Sequence, residues 1–243
     1  MHLQAVTLRN DEYPTEDHYP FNLPVLRATS AVRFTAPVTF FVGENGSGKS
    51  TLLEAMAGRC GIHIWRDPDT RRMDYNPYEE ALTDFISVQW ANGRVPGSFF
   101  GSDIFGHFAS AVEGFAKADP GQLKHFGGKS LITQSHGQSL MSYFRSRYQL
   151  KGLYLLDEPE TALSPKTQLE LLKLIIETSG AGHAQFIIAS HSPILLACPG
   201  ATIYSFDSLP LEPVAYEQTD HYRIYKDFMA DRSAYLRALT PGS

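Results

Sequence analysis

Residues 38–51 read Val-Thr-Phe-Phe-Val-Gly-Glu-Asn-Gly-Ser-Gly-Lys-Ser-Thr, an apolar run that passes directly into a G-x-x-x-x-G-K-[ST] loop. The apolar run has the length and composition of a buried strand, and the segment that follows the loop, Leu52-Leu53-Glu54-Ala55-Met56-Ala57, has the composition of a helix. Strand, glycine-rich loop and helix together are the context in which this pattern binds a nucleoside triphosphate. The glycines let the backbone fold back so that its N–H groups, with the helix N-terminus, surround phosphate oxygens. The candidate phosphate-binding set is therefore Gly43, Asn45, Gly46, Ser47, Gly48, Lys49, Ser50 and Thr51. Lys49 is expected to reach the β/γ-phosphates, and the Ser50 hydroxyl to ligate Mg²⁺.

Working outward, apolar strand-length runs alternate with helical patterns, as in a parallel sheet with crossover helices. Gly152–Leu156 and Gln185–Ala189 read as central strands. Between them Pro165 to about Thr178 reads as a helix, with proline in its first turn and Leu169, Leu172, Ile175 and Ile176 on one face. Residues 1–9 and 31–35 read as antiparallel strands, joined by a proline-rich stretch from Pro14 to Pro24. Residues 66–78 read as a loop, while 104–126 and 138–150 read as helices that would form a lobe beside the sheet. The expectation is one α/β domain over 1–243, with a helical lobe at about 104–150 inserted in it.

The second chemical cluster is Leu153-Tyr154-Leu155-Leu156-Asp157-Glu158-Pro159, an apolar strand ending in two carboxylates, the Walker B pattern. At the carboxyl end of a parallel strand beside the phosphate loop, Asp157 could orient the Mg²⁺ water shell and Glu158 could act as general base on the attacking water. Ser190-His191-Ser192-Pro193 follows the next strand, where His191 could hydrogen-bond the γ-phosphate and hold the water in position. Taken alone, two acidic residues at a strand end could equally cap a helix, and a Ser-His-Ser turn could simply start one. The phosphate loop upstream is what favours the chemical reading.

Composition narrows the partners. A net charge of −5 argues against a broadly basic nucleic-acid surface, although it leaves room for a local patch. Two cysteines with no C-x-x-C imply free thiols and no disulfide framework. The N-terminus lacks the basic start and apolar stretch of a signal peptide, and no run approaches the roughly 18 apolar residues of a spanning helix. A cytoplasmic protein without membrane insertion is expected.

The order of phosphate loop, Gln134-Ser135-His136-Gly137-Gln138, Leu-Leu-Asp-Glu-Pro, Ala162-Leu163-Ser164 and Ser-His-Ser resembles the ATP-binding-cassette ATPases. The middle element resembles their Leu-Ser-Gly-Gly-Gln signature, with Gln134 for leucine and His136 for the first glycine. Asp-Glu-Pro-Glu-x-Ala-Leu-Ser-Pro and Ser-His-Ser-Pro-Ile-Leu look more like the soluble RecF, SMC and OLD-type heads than like a transporter subunit. The whole chain, including Gly127–Leu131, Tyr216-Glu217 and His221-Tyr222, resembles a bacterial family of stand-alone "AAA family" predicted ATPases.

The resemblance implies an ATP-hydrolysing switch that dimerises head to tail around Mg-ATP. In such a dimer Ser135, Gly137 and Gln138 of one subunit would contact the γ-phosphate held by the other, and Ala162-Leu163-Ser164 would cross the seam. It also implies a residue coupling the helical lobe to Mg²⁺, for which Gln89 and Asp103 are both candidates and Asp103 is preferred because it directly precedes the lobe. Tyr19 and Phe21 are candidates for stacking on adenine. The biological role expected is DNA-linked work or antiviral defence, through a separate effector protein and with nucleic acid as a candidate stimulus. The alternative is the energising subunit of a transporter.

Overall fold

The computed structural model describes residues 1–65, 76–102, 114 and 136–239. Its first strand, β1 (Leu3–Leu8), pairs antiparallel with β2 (Ala31–Arg33) on one side and β4 (Ile86–Trp90) on the other. The strand that feeds the glycine loop, β3 (Val38–Val42), belongs instead to a six-stranded sheet. Its companions are β5 (Gly97–Gly101), β6 (Gly152–Asp157), β7 (Ala184–Ala189), β8 (Thr202–Ser205) and β9 (Glu212–Pro213), in the order β5-β6-β7-β3-β8-β9. All pairs in this sheet are parallel except β8 with β9. The expected fold class, a mostly parallel α/β core with an N-terminal antiparallel portion, is the one observed.

Burial on both faces explains why the central strands carry no polar side. Along β3, Phe41 packs into one core while Val38, Phe40 and Val42 pack into the other. Along β6, Leu153 and Leu155 face the first core and Tyr154 and Leu156 the second; along β7, Ile187 and Ala189 oppose Phe186 and Ile188. This period-two division places a hydrophobic layer above and below the sheet.

Helices supply the rest of each layer. α1 (Pro24–Ala28) and α2 (Lys49–Cys60) cover the first face, where Leu52, Leu53 and Met56 are fully buried. α3 (His136–Arg147) and α4 (Pro165–Gly180) cover the second. Short α5 (Pro193–Leu196) follows β7, and α6 (Asp220–Ala230) and α7 (Arg232–Leu239) end the described chain. Among the described residues no helix is long and apolar enough to cross a membrane.

Two expectations are corrected here. In α4 the core-facing stripe is Leu171, Leu174, Ile175 and Thr178, an i, i+3, i+4, i+7 set, whereas Leu169 and Ile176 are exposed. Leu169 and Ile176, seven residues apart, lie together on the side of the helix away from the true stripe, and their apolar character drew the expected face toward them. α3 ends at Arg147, short of Leu150; Tyr148, whose N–H still donates to the Phe144 carbonyl at 3.0 Å, is buried with its ring stacked on Phe144 at 5.2 Å and 17°.

Side chains of the parallel sheet reach the antiparallel one: the Tyr204 hydroxyl on β8 donates to the Arg33 carbonyl of β2 at 2.7 Å, and Gln185 makes the larger set of bonds. Gln185, fully buried on β7, accepts from the backbone N–H of His2 and of Leu3 through Oε1, each at 2.7 Å, and donates Nε2 to the Leu3 carbonyl at 2.9 Å.

Candidate functional site

Parallel register gathers the reactive residues. Phe41 of β3 and Asp157 of β6 both pair with Ala189 of β7, and Asp157 also pairs with Gly101 of β5. The strands thus end at one level, and the segments leaving them open onto a common edge, where open parallel sheets place their ligands.

Leaving β3, Gly43 has φ 146°, and a Cβ there would lie 2.9 Å from the Cβ of Phe206, so no other residue fits without displacement. Gly48, at φ 104°, turns the chain into α2. No side chain caps that helix, so its first N–H groups face the loop without a side-chain acceptor. Lys49 is 4% exposed; its ammonium donates to the carbonyls of Gly43 at 2.7 Å and Glu44 at 2.9 Å. Burial holds its pKa below the ordinary lysine value, while Glu158 and Asp157 pull it back up. The Ser47 hydroxyl is buried with no partner. On the far side of the loop, Asp207 accepts from the N–H of Glu44 at 3.0 Å.

Ser50 Oγ donates to Asp157 Oδ1 at 3.0 Å, joining the start of α2 to the end of β6. These are hard oxygen donors of the kind Mg²⁺ takes, and they are few, which suits an ion that keeps water and substrate phosphates as its other ligands. Among the described residues no group of three or more His, Cys, Asp or Glu is arranged to hold a metal unaided. The donor set therefore fits an ion shared with a phosphate.

Glu158, next in the chain, is the one non-glycine residue with positive φ among the described residues, at 46°. Such a conformation costs on the order of 1–3 kcal/mol and persists only where the surroundings impose it. Its Oε1 lies 3.5 Å from Nε2 of His191. His191 is set by Glu160, whose Oε1 accepts from the His191 N–H at 2.5 Å and from Ser190 Oγ at 2.9 Å. Burial raises the Glu160 pKa, and those hydrogen bonds oppose the rise. Burial first, and then the Lys49 ammonium, hold His191 below the usual imidazole range, so the ring is mainly neutral at pH 7. Its Nδ1 lies 2.8 Å from Nε2 of His221, on α6.

The structure therefore brings together the loop from Gly43 to Thr51 with Asp157, Glu158 and His191. Gly137 and Gln138 lie at the start of α3, where a Cβ on Gly137 would be 3.6 Å from the Ala162 carbonyl oxygen, and with Arg145, Ser164 and Lys166 they line a cleft of about 740 Å³. Ser135 and Asp103 lie outside the described residues. Gln89 is in the antiparallel sheet, its amide on Gln4 at 3.2 Å, and makes no contact with the loop or Asp157. The segment leaving β5 toward Asp103 starts at Gly101, opposite Asp157. Phe21 is fully buried, 4.7 Å from Tyr13 and 5.1 Å from Phe85 by ring centroids, and is unavailable for stacking on a ligand. Tyr19 remains partly exposed, with its hydroxyl 2.8 Å from Thr51 Oγ1.

Three further residues touch this site without having been assigned a role from the sequence: Glu160, Asp207 and His221. Glu160 stands in the Asp-Glu-Pro-Glu stretch and His221 in the His221-Tyr222 pair, both of which carry the family resemblance, whereas Asp207 had no signal.

A family model described as "AAA domain, putative AbiEii toxin, Type IV TA system" matches residues 135–197, and one described as "AAA domain" matches residues 23–74. The chain is 28% identical over 163 residues to the thiamine import ATP-binding protein ThiQ of Ruegeria sp. (strain TM1040), covering 63% of this chain and 69% of that protein. It is 33% identical over 146 residues to the hemin import ATP-binding protein HmuV of Rhodopseudomonas palustris (strain ATCC BAA-98 / CGA009), covering 54% of each. Among solved structures, the SMC head domain from Thermotoga maritima superposes with a TM-score of 0.50 at 17% identity, over 88% of this chain and all of that one. "An inward-facing conformation of a putative metal-chelate type ABC transporter" superposes with a TM-score of 0.51 at 15% identity, over 93% and 88%. The family models, the sequence relatives and the fold together support an ABC-type ATPase head. Its sequence relatives include ATP-binding subunits of transporters, and its structural neighbours include both a transporter and an SMC head.

Proposed function

We propose that this head binds Mg-ATP in the loop from Gly43 to Thr51 and hydrolyses it with Glu158 as general base. The observation that carries this reading is the Ser50–Asp157 hydrogen bond, which puts a metal-binding pair within one residue of Glu158 and beside Lys49 and His191. Lys49 would exchange its two carbonyl partners for β/γ-phosphate oxygens, and the N–H groups at the start of α2 would take further ones. Mg²⁺, held by Ser50 and Asp157 with Asp103 as a further ligand, would neutralise charge on the β/γ-phosphates and orient the terminal phosphoryl group. Glu158 would accept the proton of the attacking water, while neutral His191 would donate to the γ-phosphate and hold that water in line.

The remaining groups expected around the γ-phosphate would come from a second subunit. Gly137, Gln138 and Ser135 are read as acting in trans, in a homodimer that closes head to tail on ATP. The cleft beside α3 supports this, since Gly137 and Gln138 line it and no residue of the Gly43–Thr51 loop does. Residues 1–243 are read as one head with the lobe inserted at about 104–150. Turnover should be slow until two heads close, because positioning supplies most of the catalysis.

For the cellular role we favour a switch read by a separate effector in a DNA-linked or defence process. The toxin–antitoxin description of the matched family and the likeness to an SMC head support it. The import ATP-binding relatives favour the second reading, the energising subunit of a transporter. Capture of an ATP-locked Glu158→Gln protein from its own cells separates them by whether a soluble effector or a membrane protein comes with it.

The chemical reading is tested by two variants. Glu158→Gln should retain ATP binding and lose turnover by about 10²-fold or more, whereas Lys49→Ala should lose binding itself. A Glu158→Gln protein that hydrolyses ATP at the wild-type rate removes the general-base assignment.

A further inference from the structure

The contact between His191 and His221 has no task in the scheme above. Nδ1 of His191 and Nε2 of His221 are 2.8 Å apart, with ring centroids 5.0 Å apart and planes inclined by 50°. His221 sits in the first turn of α6, where Thr219 Oγ1 caps the helix by accepting from the N–H of Tyr222 at 3.2 Å. The same segment is pinned to the His191 loop a second time. The Tyr216 hydroxyl donates to the carbonyl of Pro193 at 2.9 Å, and the Tyr216 ring lies 4.7 Å from that of Tyr222.

Two neutral imidazoles share a hydrogen bond only if one nitrogen donates and the other accepts. The other nitrogen of His191 decides which. Nε2 faces Glu158 Oε1 at 3.5 Å, and a lone pair there would oppose a carboxylate oxygen while an N–H would be attracted to it. With the proton on Nε2, Nδ1 must accept, and His221 must donate its own Nε2–H. Both rings are held below the ordinary imidazole range by burial, so the tautomer and not the charge is the variable at neutral pH.

We propose that His221 is a positioning residue for hydrolysis: by donating to His191 Nδ1 it keeps the His191 proton on Nε2, aimed at Glu158 and the attacking water, and so couples α6 to the nucleotide site. Which nitrogen of a histidine carries the proton is set by the hydrogen bond that the other one makes. Here the partner comes from a separate element, 30 residues away in the chain. Displacing α6 would release the His191 ring. The inference rests on the roles proposed above for Glu158 and His191.

His221→Gln and His221→Glu test it, because the two side chains match in size and differ in that only glutamine offers an N–H. The ¹⁵N spectrum of ring-labelled wild-type protein without nucleotide should show His191 protonated on Nε2 and bare on Nδ1. His221→Gln should keep that pattern and turn over within about threefold of wild type. His221→Glu should move the proton toward Nδ1 and lower kcat about 10–100-fold with KM for ATP nearly unchanged. A wild-type His191 protonated on Nδ1, or a His221→Glu protein with wild-type kcat, overturns the proposal. So does equal loss in both variants with the ¹⁵N pattern unmoved, since that marks a purely structural contact. A wild-type protein that hydrolyses no ATP would instead remove the hydrolytic reading, while the ¹⁵N pattern would still decide the tautomer.

Discussion

Ser50 and Asp157 are 107 positions apart in the chain and share a hydrogen bond of 3.0 Å at the carboxyl edge of the sheet. A cation bound between them must replace that bond with two metal–oxygen contacts. Asp157→Asn should therefore weaken ATP binding at least about tenfold in millimolar Mg²⁺ and change it little in EDTA, since neutralising the carboxylate removes the charge that an Mg²⁺ ligand supplies. Titration of a fluorescent ATP analogue with and without Mg²⁺ reads the difference. Equal weakening in both buffers would count against this pair as the metal site.

Glu160 should matter through His191. Glu160→Ala leaves the Ser190 hydroxyl and the His191 N–H without their acceptor, at a cost of about 2–3 kcal/mol, and frees the loop that carries the imidazole. Glu160→Gln keeps a carbonyl oxygen for both donors and should cost about 1 kcal/mol or less. Urea denaturation and kcat, measured on both variants, check the contrast.

Closure in trans predicts complementation. Ser135→Arg should bind ATP as a monomer but neither dimerise nor hydrolyse, because a long cation would fill the space meant for the partner's γ-phosphate. Mixed with Lys49→Ala it should recover partial activity, as one composite site then keeps an intact loop facing an intact Ser135. Light-scattering mass with ATP and phosphate release from the mixture give the answer; normal dimerisation and turnover by Ser135→Arg alone would rule out the head-to-tail arrangement.

Alkaline pH should destabilise the fold from within. Burial pushes Cys60 up to about 12 and Cys198 to about 11, and Tyr13 and Tyr154 to about 12. Each group holds its proton more tightly when folded, so its contribution is complete below the ordinary values of 9.0 and 10.0 and is lost as pH rises through the folded ones. Unfolding free energy should thus start to decline above about pH 9, and both thiols should resist a thiol reagent at pH 8 until denaturant is added.

Gly97 marks where β5 meets its neighbour. A Cβ there would lie 2.5 Å from the Leu153 carbonyl oxygen and 2.5 Å from Ile62 Cδ1, and the first of these is backbone that cannot swing aside. Gly97→Ala should cost about 1–3 kcal/mol by overpacking, read as a lower urea midpoint with an unchanged slope.

How far the sequence carried the reading depended on the range of the interactions involved. The strand before Gly43 and the one before Asp157 were legible because two-sided burial leaves an unbroken apolar run, and the loop between strand and helix was legible because its glycines answer a local backbone demand. The stripe of α4 was misread because Leu169 and Ile176, together on the solvent face, are apolar yet exposed, and composition alone does not separate them from Leu171 and Leu174. The tasks of Glu160, Asp207 and His221 were out of reach for another reason, although the first and last stand in stretches that carry the family resemblance. Each acts on a residue that only the tertiary fold brings near, through a hydrogen bond that leaves no spacing in the sequence.

The buried amide of Gln185 has a mechanical consequence. By taking two backbone N–H groups and the Leu3 carbonyl, it stands in for a missing strand edge and rivets the antiparallel sheet to the strand that leads to His191. Any tilt of β7 that accompanies a change at the nucleotide must then carry β1 with it, and through β1 both β2 and β4. A displacement beside the phosphate would in this way be handed on to the outer sheet as well as to the strands that flank β7.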